Sequence, residues 1–187
     1  MALELVYETH STSVDNERGI ATGWLDGRLS EQGREQAETL GARRRDDGIA
    51  AVYSSDLGRA VETAAIAFRG AGIPVHHDAR LRECDYGELN GAPVEQMLAV
   101  RLQHVEEPFP GGESYRQVVE RTQDFLDEVV ARHDGERIVV IAHSANRWAL
   151  DHLVNGVPLE ELVDAPFEWQ EGWIYRVNAS SSSSDIE

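Results

Sequence analysis

An α/β fold, a three-layer sandwich with a mostly parallel central sheet flanked by helices, is what this sequence predicts. Short apolar runs that read as buried strands alternate with stretches of helical spacing. Two of those runs, Leu3–Tyr7 and Ile138–Ala142, lead into matching pairs, His10-Ser11 and His143-Ser144. In parallel sheets of this kind ligands bind at the carboxyl ends of strands, near a topological switch point, where both histidines would fall. Adjacent strands would bring them to roughly 5 Å in the hydrogen-bonding direction.

The elements follow in order. Leu3, Leu5, Val6 and Tyr7 form a first strand whose imperfect period suits cover on both faces. Residues 11–29 show no sustained periodicity and read as a surface loop anchored by Trp24. Ser30 is an N-cap for a helix to about Arg45, and Gly33 and Gly41 on its inner face call for close packing against a neighbour. Ile49–Ser54 is the second strand. Ser55 or Asp56 caps a helix over Leu57–Phe68, with Arg59 in its first turn. Gly70 and Gly72 stop that helix, and Val75–His77 is extended. Residues 79–91 are irregular, and Pro93 fits the first position of a helix to about His104. Residues 106–114 form a Pro/Gly loop. Ser114 and Gln117 make a capping box for a helix to about His133, ahead of the strand Ile138–Ala142. A helix over about Asn146–Val154, a short helix opened by Pro158 and a last strand, Trp173–Val177, complete one domain over 1–178. Residues 179–187 read as a disordered polar tail.

Composition narrows the function classes. The 187 residues and 41% apolar content fit one soluble domain with a substantial core. No run approaches a membrane span and no basic-then-apolar leader opens the chain, so a cytoplasmic protein without a membrane partner is expected. The single Cys84 leaves no internal disulfide and no cysteine-rich metal site, and its own reading is a small semi-buried residue. All 17 basic residues are arginine and the net charge is −17, which argues against a nucleic-acid partner. An anionic substrate would need a local positive pocket inside a repelling field.

The pair of histidines has an obvious chemistry. A neutral imidazole attacks phosphorus well and its phosphorylated form turns over. That chemistry needs cations on the non-bridging oxygens and an acid for the leaving alkoxide. Arg59 and the start of its helix suit the first role; a cation is disfavoured in a first helical turn unless an anion is bound there. Glu83 is a candidate acid, although a solvated carboxylate is the plainer reading. His76, His77, His104, His133 and His152 have no comparable placement and read as surface or packing residues. No His-x-x-x-His or equivalent metal motif is present.

At this point the sequence resembles the histidine phosphatase superfamily, with its phosphoglycerate-mutase-like fold, from Leu3 to at least Leu153. Thr9-His10-Ser11 with Asn16 in register is similar to the opening Arg-His-Gly motif and its asparagine. Gly23-Trp24-Leu25-Asp26 and the run from Leu29 to Ala37 resemble the loop and helix that follow. Val52 to Ala60 is similar to the second signature, which makes Arg59 the phosphate-binding arginine. Leu81-Arg82-Glu83 before Tyr86-Gly87-Glu88 resembles the proton-donor segment, Pro110 to Ser114 a loop of the phosphatase branch, and Ile141 to Ser144 the second-histidine motif. The departures fall at the site: Thr9 stands for arginine, Ser11 and Ser144 for glycine, and Ile20 for a further arginine.

The resemblance implies a phosphomonoesterase acting on a small phosphorylated metabolite through a phosphohistidine on His10. Arg59 and a protonated His143 would clamp the phosphoryl group, Glu83 would serve as acid and then base, and Thr9, Ser11, Asn16, Thr22 and Ser144 would line the substrate. No metal or other cofactor is implied. A mutase is expected to be longer, with insertions that enclose a bisphosphate. The rival expectation is a weak or inactive relative that binds a less charged small ligand in the same pocket, with Thr9 as its motive. Arg18, Arg82 and Arg147 are candidates to replace the charge that Thr9 lacks.

Overall fold

The computed structural model describes residues 1–178; the proposed tail at 179–187 lies outside the described residues. In chain order the elements are β1 (Leu3–Thr9), α1 (Val14–Arg18), β2 (Ile20–Ala21), α2 (Glu31–Arg44), β3 (Ala51–Ser54), α3 (Gly58–Ala67) and β4 (Val75–His77). There follow β5 (Ala92–Pro93), α4 (Val94–Val100), α5 (Tyr115–Arg132), β6 (Arg137–Ala142), α6 (Ser144–Asn155), α7 (Leu159–Asp164) and β7 (Trp173–Val177). Five strands form one sheet in the order β4-β3-β6-β1-β7. All neighbours are parallel except β7, which runs antiparallel to β1 along one edge. The expected α/β class with a mostly parallel sheet is what the chain forms.

Both faces of the sheet are covered, which accounts for the weak alternation along β1. Leu3, Leu5 and Tyr7 pack with Phe125 and Leu126 of α5 and Leu150 of α6. Val6 points the other way, onto Leu40 of α2 and Ala64 of α3. A third cluster, around Tyr86, Phe109, Tyr115 and Trp148, fills the side beyond α5 and α6. Each large apolar side chain so buried contributes roughly 1.5–3 kcal/mol. Among the described residues no helix is long and apolar enough to cross a membrane.

Local chemistry explains where the elements begin. Ser30 accepts from the Gly33 amide at the start of α2. Ser114 and Gln117 form the expected reciprocal box at the start of α5. The glycines of α2 do sit at close approaches: a Cβ on Gly33 would lie 1.9 Å from the Thr12 carbonyl oxygen, and one on Gly41 would lie 2.2 Å from that of Ala67.

Several boundaries differ from expectation. The 11–29 loop contains α1, opened by a capping box of Ser13 and Asn16, and the two-residue β2, which pairs with β5. These pieces are too short to leave a period. The helix after β3 has Leu57 at its N-cap with no side-chain cap; Ser55 accepts only from the Leu57 amide, and Asp56 is instead paired with Arg82. Pro93 is the N-cap of α4, one position before the first helical turn, and the helix gives way to a 3-10 turn over Arg101–His104. Cys84 is fully buried rather than semi-buried.

Candidate active site

β1 and β6 are hydrogen-bonded neighbours, with Thr9 opposite Ala142, so the next residues on each strand, His10 and His143, leave the sheet side by side. The His10 amide donates to the Ala142 carbonyl at 2.9 Å, and the two imidazole centroids lie 5.0 Å apart. β6 is inserted between β1 and β3, so the chain reverses its direction across the sheet where these histidines emerge.

The histidine tautomers follow from their partners. His10 Nδ1 lies 2.7 Å from the carbonyl oxygen of Ser11, which only accepts, so Nδ1 carries the proton and Nε2 keeps its lone pair. Arg59 Nε donates to that lone pair at 3.3 Å. Arg59 Nη2 lies 3.3 Å from His143 Nδ1, and because a guanidinium only donates, the His143 proton belongs on Nε2. That Nε2 is buried and has no hydrogen-bond partner among the described residues. The His143 carbonyl is fixed from below by the Tyr7 hydroxyl at 2.5 Å.

Burial, reinforced by the Arg59 charge, lowers the pKa of both rings: to about 3 for His10 and well below the ordinary histidine range for His143. His10 retains some surface toward the cavity described below, so His143, 1% exposed, is the more firmly neutral of the two. Without a bound anion His143 is therefore a neutral donor through Nε2–H, and the protonated clamp expected of it would need an anion's charge beside the ring.

Arg59 is 2% exposed and commits four of its five N–H groups, to the two rings and to the carbonyls of Gly23 and Leu25 at 2.9 and 3.2 Å. Its backbone carbonyl accepts from Thr63 Oγ1, which in turn accepts from the Ser11 amide, so Arg59 and His10 share a fixed frame. Glu83 is also buried. Its Oε1 accepts from the amides of Cys84 and of Ala145 in the first turn of α6, at 2.8 and 3.3 Å. Burial raises its pKa against the pull of those amides and Arg59. The Glu83 carbonyl is held by Trp24 Nε1 at 2.7 Å and Arg121 Nη2 at 3.0 Å. Trp24 is thus the anchor its position in the loop suggests, and the thing it anchors is Glu83.

A cavity of about 730 Å³ opens over the carboxyl end of β1 and is lined by both histidines with Thr9, Ser11, Asn16 and Ser144. Asn16 spends Oδ1 on capping α1, and among the described residues its Nδ2 makes no hydrogen bond. Arg59, Glu83 and Thr22 do not line this cavity. Thr22 is buried and donates to Asp15 at 3.0 Å, so its hydroxyl is engaged away from this cavity. Of the arginines considered as substitutes for Thr9, Arg18 is exposed at the end of α1, Arg82 is paired with Asp56 and stacked on Trp24, and Arg147 is paired with Asp151. None lines the cavity. Arg43 does, from α2. Sequence reasoning read the Arg43-Arg44-Arg45 run only as a helix end; the signal was its helical register with Gln32, Gln36 and Thr39.

Comparison with known proteins places the chain. The family model for the histidine phosphatase superfamily (branch 1) matches residues 9–183. Phosphoserine phosphatase 1 of Hydrogenobacter thermophilus is 32% identical over 85% of this chain and 79% of its own. A 2,3-bisphosphoglycerate-dependent phosphoglycerate mutase of a Methylobacterium species is 30% identical over 98% of this chain and 95% of its own. Chain length therefore does not separate this protein from mutases, contrary to expectation. Among solved structures, Bacillus stearothermophilus YhfR superposes with a TM-score of 0.80 at 31% identity, covering 91% of this chain and 88% of that one.

Proposed function

Because the chain belongs to the histidine phosphatase superfamily, we propose that it is a metal-independent phosphomonoesterase whose nucleophile is Nε2 of His10. The observation that carries this reading is the tautomer pair: Ser11 holds the proton on His10 Nδ1, so Nε2 carries a lone pair, which lies beside Arg59. A neutral nucleophile held in one orientation is what attack on phosphorus requires.

In the first step Nε2 forms a bond to phosphorus as the bond to the leaving oxygen breaks. The leaving alkoxide takes a proton from Glu83, whose raised pKa suits an acid. In the second step water attacks the phosphohistidine, Glu83 takes its proton, and orthophosphate departs with His10 restored. The Arg59 charge and the free Nε2–H of His143 stabilise the non-bridging oxygens. As a dianion arrives, its charge raises the His143 pKa and strengthens that donor. The substrate class is a small phosphorylated metabolite, in keeping with the phosphoserine phosphatase among the relatives.

A phosphoenzyme trapped from wild type under acid-avoiding conditions, mapped to His10 and absent in His10→Ala, is the expected result. Undiminished turnover in His10→Ala would sink the mechanism. Discharge of that phosphoenzyme to water separates a phosphatase from a mutase, which would pass the group to a second acceptor.

One observation favours a second reading, a pocket that binds a less charged ligand without turnover. Arg59 is nearly saturated by protein partners, and Thr9 adds no charge. In a broad phosphatase screen, activity in Thr9→Arg alone supports that reading, and activity in wild type supports the enzyme.

A further inference from the structure

A phosphoryl dianion between His10 and His143 would be incompletely neutralised in this site. Arg59 supplies one charge from behind the two rings, with four of its five N–H groups already engaged. Both histidines are neutral, and Thr9, Ser11 and Ser144 offer hydroxyls without charge. The side chains lining the cavity include one cation, Arg43.

Arg43 is placed and held as a group that can move to a ligand. It stands in the last turn of α2, where the helix dipole favours a cation. Its contacts are long: Nη2 lies 3.4 Å from Glu8 Oε2 and Nη1 lies 3.8 Å from Glu171 Oε1. Its Nε is buried and has no partner among the described residues. Glu171 is exposed, so water can replace that contact. Glu8, at 2% exposure, cannot be left alone, but it does not depend on Arg43. Arg44 binds it at 2.9 Å and would keep the carboxylate paired if Arg43 left. Two guanidiniums on one buried carboxylate leave one charge to spare. Glu8, in β1, also sits two residues before His10, and it lines the same cavity as Arg43 and both histidines.

We propose, resting on the phosphoryl-transfer reading above, that Arg43 is the second cation of the phosphoryl site, reaching it from α2 to supply the charge that Thr9 leaves out of β1. On this inference Nη2 leaves Glu8 for a non-bridging oxygen, and the 3.4 Å contact is the one broken.

The test is a set of variants read by two signals: kcat/KM on p-nitrophenyl phosphate, and orthophosphate affinity from calorimetry or thermal shift. Arg43→Met keeps the aliphatic stem and removes the charge. Loss of one charge-assisted interaction predicts a roughly ten- to hundredfold fall in both signals. Thr9→Arg placed in the Arg43→Met background should recover orthophosphate affinity, because it restores a cation to the same cavity. Should Arg43→Met lower the melting temperature sharply, Arg43→Lys carries the test: it keeps the charge but not the planar fork and should fall between wild type and Met. Orthophosphate affinity equal to wild type in the charge-removed variant overturns the inference, even where turnover falls. The two readings separate cleanly. Wild type that binds orthophosphate through Arg43 yet never turns over keeps the inference and removes hydrolysis. Turnover in wild type with Arg43→Met unchanged keeps hydrolysis and removes Arg43.

Discussion

Arg59 holds two backbone carbonyls and two imidazole nitrogens with one planar group. Lysine has the same charge but three donors around a point and no fixed fork, so Arg59→Lys should fail at a site defined by direction. Losing two or more buried hydrogen bonds to a charged group costs about 1.5–3 kcal/mol each at ordinary values. Arg59→Lys is therefore expected to lower kcat by tenfold or more and to reduce the urea midpoint. Retention of wild-type kcat would show that only the charge at position 59 matters. The tautomers give a further reason to expect this. With Arg59 donating to both rings, the proton of His10 sits on Nδ1 and that of His143 on Nε2; a mobile ammonium would not fix the second assignment.

At the scale of elements, α2 is the part whose placement decides the site, because its N-terminus touches the loop after His10 and its last turn carries Arg43. Gly33 makes the first contact. Replacing glycine by alanine inside a helix ordinarily stabilises by about 0.5–1 kcal/mol. Here the added methyl would stand 1.9 Å from the Thr12 carbonyl oxygen, a backbone atom that cannot step aside alone. Overpacking of this kind costs roughly 1–3 kcal/mol, so the clash outweighs the propensity gain and Gly33→Ala should be less stable in urea denaturation. An increase in stability would mean the loop yields freely.

The same helix shows what was legible. Its cap at Ser30, its inner face and the need for small residues at Gly33 and Gly41 could all be read, because each is a local chemical requirement. The strands leading into His10 and His143 could be read as well, since buried parallel strands leave apolar runs, but their adjacency could not. Pieces of two to five residues, β2 and α1 among them, could not, because they complete no period. Arg43 was missed for a different reason: its role depends on Glu8 and His10, which the sequence leaves more than thirty positions away and only the sheet brings under the end of α2. The turn of the Thr22 hydroxyl toward Asp15 is likewise a side-chain choice no motif reports.

For the molecule as a whole, the buried site couples stability to pH. Burial and Arg59 lower the folded pKa of His10 from about 6.5 to about 3, and push that of His143 down as well. Between those values the unfolded chain binds more protons than the folded one. The His10 contribution is thus complete above about 6.5 and is lost progressively as pH falls toward about 3, and that of His143 is lost in the same direction. Glu8 and Glu83 act with the opposite sign. Burial raises their folded pKa above the ordinary carboxylate value of 4.5, so their contribution is present at low pH and is lost as pH rises through the folded value. The carboxylates and the histidines therefore oppose each other in mildly acidic solution, and the wild-type profile alone would blend them. A difference measurement isolates one ring. Unfolding free energies of wild type and His10→Gln, taken by urea titration from pH 7.5 down to pH 5, should diverge, with wild type losing ground as pH falls because only it has an imidazole to protonate on unfolding. A difference that stays flat across that range would mean that His10 takes up its proton in the folded state, and the neutral nucleophile at the centre of the proposed mechanism would go with it.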